Sequence, residues 1–224
     1  MKDTKKRILA QGLDLLAQRG FADVTVGVLA QKAGMSKSGL FAHFGSKEEV
    51  QLKLLEETLR VGAAAFIEPA MRNPPGLTRL RAIVHAWFGW TQKAGLHGGC
   101  PIAAGLFEFD DAPKNHPVRK RLLAIEQQWR DRLAAITGEA IHNGELRADL
   151  DIAQFVWELC GIYLAHHVSQ RFINDPLATK RAEIAFEGLL CRSAQTGREL
   201  AASENFAARK PKRIARPSKT EVPR

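Results

Sequence analysis

The sequence predicts an all-α fold. Apolar residues recur at intervals of three and four along most of the chain, strand-like alternation and internal repeats are absent, and the breaks between periodic stretches carry Gly, Pro and helix-capping residues. With 224 residues and 45% apolar content, the chain can bury a core as one domain or as a small module joined to a larger one. The opening MKDTKKRILA is basic but lacks the apolar stretch of a signal peptide. No later run approaches the roughly eighteen uncharged residues of a membrane span, so a soluble, cytoplasmic protein with no membrane partner is expected.

The elements follow in order. Between Thr4 and Arg19, Ile8, Leu9, Leu13, Leu15 and Leu16 keep helical spacing, and Gly20 supplies the stop. A shorter helix starts near Thr25, an N-cap type, and closes at Gly34, with Gly27 inside it at a cost of about 1 kcal/mol relative to alanine. Ser36 caps a third piece that ends at Gly45. Ser46 and Glu49 have the spacing of a reciprocal cap and open a fourth helix, which runs to about Ile67 before Pro69, Pro74, Pro75 and Gly76 break it. Further helices are expected over residues 77 to 95, over Ile102 to Phe109 after the break GLHGGCP, and over Val118 to His142. The last of these has a seam of Leu122, Ile125, Trp129, Leu133, Ile136 and Ala140. The helix within DLDIAQFVWELCGIYLAHHVSQRFIND is apolar nearly all round, which favours burial on two sides and a subunit interface. A final helix carries Ala182, Ala185, Phe186, Leu189 and Leu190, and beyond about Ala202 the pattern is lost.

Charge is uneven. Against a net +9 for the whole chain, residues 1 to 47 hold eight Lys/Arg and three Asp/Glu, and residues 205 to 224 hold seven and one, around a nearly neutral middle. A polyanion is the partner such asymmetry suggests. Cys100, Cys160 and Cys191 are odd in number and outside any CxxC pairing, so a disulfide framework and a zinc finger are both disfavoured; they read as buried small hydrophobes. Cys100, at the end of a Gly-rich break, admits a second reading as an exposed, oxidisable thiol. His166 and His167 are adjacent on a helix and point about 100° apart, poor geometry for one metal, so no metal site is expected. No GxSxG, P-loop, HExxH or dinucleotide-binding fingerprint occurs, and neither an enzyme nor a cofactor is expected.

Two short helices joined by a glycine turn, the second entered by serines, form a helix-turn-helix. Ala30 permits close approach of the helices, Gly34 can turn in the left-handed region, and Leu40 plugs between them, with Phe44 also inward. The candidate DNA contacts are Thr25, Ser36, Lys37, Ser38, Phe41, His43 and Lys47. Hydroxyls and cations at a recognition helix hold phosphates, while Ser36, Ser38 and the ring of Phe41, against a thymine methyl, would read bases.

The stretch GFADVTVGVLAQKAGMSKSGLFAHFGSKEEVQLKLLEE resembles the N-terminal region of TetR-type transcriptional regulators, and the resemblance covers about the first 60 residues. It departs from the family pattern at Phe41 and Ala42, where two tyrosines often stand, and at Gly39, where a threonine or asparagine often reaches a base; Ser38 replaces a common glycine. GGCPIAAGLFEFDDAP with the Trp129 helix resembles one subgroup of C-terminal domains in that family. The resemblance implies a homodimer on a double-stranded, palindromic DNA operator, with a repressor role relieved by an apolar or amphipathic small-molecule effector. The expected organisation is a three-helix DNA-binding module over residues 1 to 47, a ligand-binding and dimerisation bundle over 48 to 202, and a basic, disordered tail over 203 to 224. That tail would either add phosphate contacts or serve as a solubilising extension. Trp87, Phe107, Trp129 and Leu159 are the candidate pocket walls, set against plain core packing. The rival class is a nucleoid or adaptor protein that binds DNA through its charged ends without reading sequence or sensing a ligand.

Overall fold

The computed structural model describes residues 2–195, all helices and connections with no sheet among them. The tail predicted over 203 to 224 lies outside the described residues. Helix α1 (Lys2–Arg19) ends at Gly20, whose φ of 81° turns the chain. Thr25 caps α2 (Val26–Lys32), its hydroxyl accepting from the Val28 amide at 3.2 Å. Ser36 caps α3 (Lys37–His43), accepting from the Gly39 amide at 3.0 Å. Between α2 and α3, Gly34 sits at φ 65°, and the Met35 amide donates to the Ala30 carbonyl at 2.9 Å, which closes the turn. Ser46 caps α4 (Lys47–Gly62) by accepting from the Glu49 amide. The return half of that cap differs from expectation: the Glu49 carboxylate takes the Gly45 amide at 3.0 Å rather than that of Ser46.

Pro69 does not break the fourth helix. A π-helical turn over Ala63–Ile67 precedes α5 (Glu68–Met71), and Pro69 occupies that helix's first turn, where its missing N–H is tolerated. The break falls later, at Pro74, Pro75 and Gly76. The stretch predicted over 77 to 95 is divided at Gly89 into α6 (Leu77–Phe88) and α7 (Trp90–Lys93). Then come α8 (Pro101–Glu108), α9 (Pro117–His142), α10 (Ile152–Val168), which runs on in a π turn over Ser169–Ile173, and α11 (Ala178–Ser193). No helix among the described residues is long and apolar enough to cross a membrane.

Two apolar clusters organise these helices. The first joins Leu16, Phe21, Leu29, Leu40 and Phe44 with Val50, Leu54 and Leu55 of α4 and with Val118, Leu122 and Ile125 of α9. It therefore continues past residue 47, because one face of α4 closes the base of the small helices. The second holds Leu80, Val84, Trp87, Leu133, Phe155, Leu159, Phe186 and Leu190 from α6, α9, α10 and α11. In α10, Phe155, Leu159 and Tyr163 are buried, whereas Trp157 is 64% exposed.

Candidate functional site

Two sites emerge, linked by α4 and α8. In the first, α3 turns Leu40 fully inward, with Phe44 beside it, and leaves Ser36, Lys37, Ser38 and Phe41 outside. Phe41 is 49% exposed although it is a large apolar ring. The Ser36 and Ser38 hydroxyls lie 3.0 Å apart. The cap and the bond between the two serines take lone pairs and one of the two hydroxyl protons, so one hydroxyl proton and the remaining lone pairs stay for a partner. Lys37 runs its stem over Gly27, where a Cβ would stand 2.9 Å from Lys37 Cε. The glycine leaves room for the lysine stem to cross there with its exposed ammonium beyond, a contact that the flexible side chain could also relieve by moving. His43 is half-buried beside Phe44, Lys47 is exposed at the start of α4, and Thr25 is partly buried at the start of α2. The structure thus gathers Ser36, Lys37, Ser38 and Phe41 on one outer face, with His43 and Lys47 at its edge. Lys5 of α1 stands over the Phe44 ring at 5.1 Å.

The second site is a partly open cavity of about 160 Å³ lined by α4, the π turn, α6, α7, α8, α9 and α10. Its walls are aromatic. Trp87 stacks on Tyr163 with centroids 3.9 Å apart and 9° between planes, and meets Trp129 edge-on at 4.7 Å. Phe66 stands edge-on to Trp129 at 5.6 Å, and the Trp90 indole donates to the Tyr163 hydroxyl at 3.3 Å. Of the four residues expected to form walls, Trp87 and Trp129 do so. Phe107 does not: it is 55% exposed, because one residue along α8 is a rotation of about 100° and Leu106 takes the inward place. Leu159 is fully buried but belongs to the apolar cluster, while Cys160, Tyr163 and Leu164 present α10 to the cavity. Trp90, Phe66 and Tyr163 are wall residues that sequence reasoning missed; the signal available was the chain's single tyrosine on a helix apolar nearly all round.

Burial sets the chemistry of the wall. It pushes the Cys100 thiol up, more than offsetting hydrogen bonding with Tyr163, and it holds the Tyr163 phenol well above its usual range. Cys160 is pushed up to about 11 by the same cause. Cys100 is therefore a buried, protonated thiol, not the exposed sensor that its Gly-rich setting suggested. His166 is buried and pairs with the Thr179 hydroxyl at 3.1 Å.

The two sites share elements. Val50, Leu54 and Leu55 of α4 lie in the core beneath the small helices, and Thr58, Leu59 and Gly62 of the same helix line the cavity. Helix α8 lines the cavity with Ile102, Ala103 and Leu106. Its last residue, Glu108, accepts from the Phe21 amide at 2.8 Å and the Ala22 amide at 3.0 Å, in the turn between α1 and α2. Just before α8, the Gly99 amide donates to the Ala17 carbonyl at 2.9 Å, and the His97 amide donates to Asp14 at 2.9 Å.

Comparison with known proteins places this architecture. The profile of bacterial regulatory proteins of the tetR family matches residues 8–54, and that of a tetracyclin repressor-like C-terminal domain matches residues 76–186. The uncharacterized HTH-type transcriptional regulator YerO of Bacillus subtilis is 38% identical over 56 residues, 25% of this chain and 19% of that protein. The chain spans less than two thirds of the length of such curated relatives. Among solved structures, the TetR-family regulator SCO4454 of Streptomyces coelicolor superposes with a TM-score of 0.72 at 18% identity, over 86% of this chain and 97% of that one. AibR, solved in complex with isovaleryl coenzyme A and operator DNA, superposes with a TM-score of 0.61 at 18% identity, over 86% of this chain and 98% of that one. Likeness at these identities establishes the fold, and the two matching profiles establish the lineage. From its helix-turn-helix to its C-terminal bundle, this chain belongs to the TetR family of transcriptional regulators, which are not enzymes.

Proposed function

We propose that the protein is a cytoplasmic, ligand-controlled repressor that binds a near-palindromic operator as a homodimer and releases it when an apolar or amphipathic small molecule fills the cavity. The observation that carries this reading is the sharing of α4 and α8 between cavity wall and DNA-facing module. A ligand that moves either helix changes the placement of α3. If it fits better when two such modules are splayed, it must weaken DNA binding by the factor by which DNA weakens its own binding.

The DNA-binding module is proposed to extend from residue 1 into α4, with affinity from Lys37, His43 and Lys47 on phosphates and sequence choice from Ser36, Ser38 and Phe41. Thr25 would hold the backbone at the start of α2. The second copy is proposed to dock on α10 and α11. Trp157, Gly161, Ala165 and Val168, all exposed, fall on one face of α10 at intervals of four, four and three, and Ile184 is 46% exposed on α11. Apart from its chain neighbours and its own helix backbone, no described atom lies within 4 Å of a Cβ built on Gly161, so a helix of the partner can approach there. AibR carries both an acyl coenzyme A and operator DNA, which is the pairing of ligand and DNA proposed for this chain.

Selection of bound duplexes from a random pool, followed by titration of the winner against bulk DNA at one fixed salt concentration, tests the reading. An inverted repeat with half-sites about 34 Å apart, or a multiple of that spacing, and strong preference over bulk DNA is the expected result. Equal affinity for every sequence would leave a non-specific DNA-binding protein in its place.

A further inference from the structure

Two charged side chains line the cavity, Glu126 and Arg132, both on α9, and they differ in what they already hold. The Glu126 carboxylate is half-buried and accepts from Arg130 Nε at 2.8 Å, so its charge is answered within the protein. The polar bonds along this stretch of α9 run from Arg130 to Glu126 and from Gln127 to Asp131, and no acceptor among the described residues meets the Arg132 guanidinium. The lining is left with one uncompensated positive charge. Arg132 also stands where a ligand would enter. Of the residues that line the cavity, Gln128 and Arg132 alone are exposed, one turn apart on one edge of α9, so that edge borders the opening. Trp129, three residues before Arg132, is half-buried in the wall, and the buried rings of Trp87 and Phe66 stand against it.

We infer that the effector is an amphipathic monocarboxylate, with an apolar body seated among the aromatic rings and its carboxylate paired with the guanidinium of Arg132 at the opening. This deepens the ligand-controlled reading and rests on it. The body follows from the walls, where burial of apolar surface supplies the affinity. The head follows from Arg132: the flat fork of a guanidinium matches two carboxylate oxygens, and one free cation calls for one anion. A carboxylate at the opening keeps part of its hydration, so most of the cost of burying a charge is avoided. Aromatic walls beside an acid also suit a cation, but two features oppose one here. Trp87 spends a ring face on Tyr163, stacked at 3.9 Å, and Glu126 already holds Arg130.

Calorimetric titration of the full chain with octanoate, 1-octanol and octyltrimethylammonium tests the inference, since the three share an apolar body and differ in the charge of the head. Octanoate is expected to bind about fivefold tighter than octanol, and the ammonium weaker than either. Residues 205 to 224 carry seven Lys/Arg against one Asp/Glu and attract any anion, so variants decide where the head sits. In Arg132→Gln the advantage of octanoate over octanol should vanish, while Arg192→Gln, which removes an exposed cation already paired with Glu158, should retain it. Arg132 is exposed, so the folded state should survive its replacement. Equal affinities for octanoate and octanol, tightest binding by the ammonium, an unchanged ratio in Arg132→Gln, or no binding by any of the three would each overturn the inference. Anisotropy of a selected operator duplex separates this failure from that of the wider reading: octanoate that binds through Arg132 without releasing DNA sinks ligand control and leaves the site standing. Release of DNA by some other molecule, with octanoate unbound, does the reverse.

Discussion

Glu108 holds the amide of Phe21 across 87 residues of chain, its two carboxylate oxygens lying 3.0 and 2.8 Å from that nitrogen. The bond ties the last residue of a cavity-lining helix to the turn that launches the helix-turn-helix. Replacing Glu108 with alanine removes the acceptor for two amides at an exposed helix end, and a loss of about 1 kcal/mol in unfolding free energy is expected. The sharper expectation is functional: operator binding persists while its response to effector shrinks. A variant whose DNA release is unchanged at saturating effector would remove α8 from the coupling route and leave α4 as the remaining lever.

Gly98 tests the same joint from the backbone side. A Cβ there would fall on the carbonyl of Ala17 at the end of α1, and no side-chain rotation relieves a clash with backbone. Gly98→Ala should therefore destabilise by about 1–3 kcal/mol, the range for forced overpacking. Denaturant melts measure it, and a neutral outcome would show that the loop before α8 can lift from α1 at little cost.

Lys37 is predicted to serve phosphate rather than base. Lys37→Ala should weaken binding to all duplexes alike and reduce the slope of log affinity against log salt by about one. Ser38→Ala, in contrast, should change the ranking of half-site sequences more than the slope. Competition binding at several salt concentrations distinguishes the two behaviours.

Trp157 is the probe for assembly. A glutamate in its place puts a charge on the apolar face shared with Gly161, Ala165 and Val168. Light scattering should then report a monomer where the unaltered chain is expected to be dimeric, with operator affinity falling because two half-sites no longer bind together. A variant that stays dimeric would move the interface off this face.

His166 gives a pH dependence of defined sign. Burial holds its imidazole below the ordinary 6.5 against the opposing pull of Glu183, and burial, with Arg171 and His166 adding to it, lowers His167 as well. The unfolded chain thus binds these protons more readily than the folded one, so stability is full above the ordinary value and falls as pH drops below 6.5 toward the depressed folded value. Thermal melts from about pH 7.5 down to about pH 5.5 should show that fall, and His166→Gln should make it shallower. An equal slope in the variant would assign the acid sensitivity elsewhere.

The N-terminal helices were legible because their signals are local. Thr25, Ser36 and Ser46 cap amides three residues ahead, Gly34 turns in the left-handed region, and Leu40 and Phe44 lie inward, all within reach of neighbours in sequence. The α9 seam was legible for the same reason: Leu122, Ile125, Leu133, Ile136 and Ala140 are buried as their spacing requires. The helical phase of α8 was not. With apolar residues at Ile102, Leu106 and Phe107, its composition favours no single face, and only packing against α4 and α9 turns Leu106 in and Phe107 out.

The amino-acid order by itself determined the all-α class, the helix-turn-helix with its outward hydroxyls and lysine, and the lineage, because caps, turns and periodicity act over a few residues. The tertiary structure alone decided which aromatic rings line the cavity, that Cys100 is buried, and that Glu108 meets Phe21. Each of those depends on groups dozens of residues apart brought together by burial of apolar area, a force that is roughly proportional to area and carries no direction along the chain.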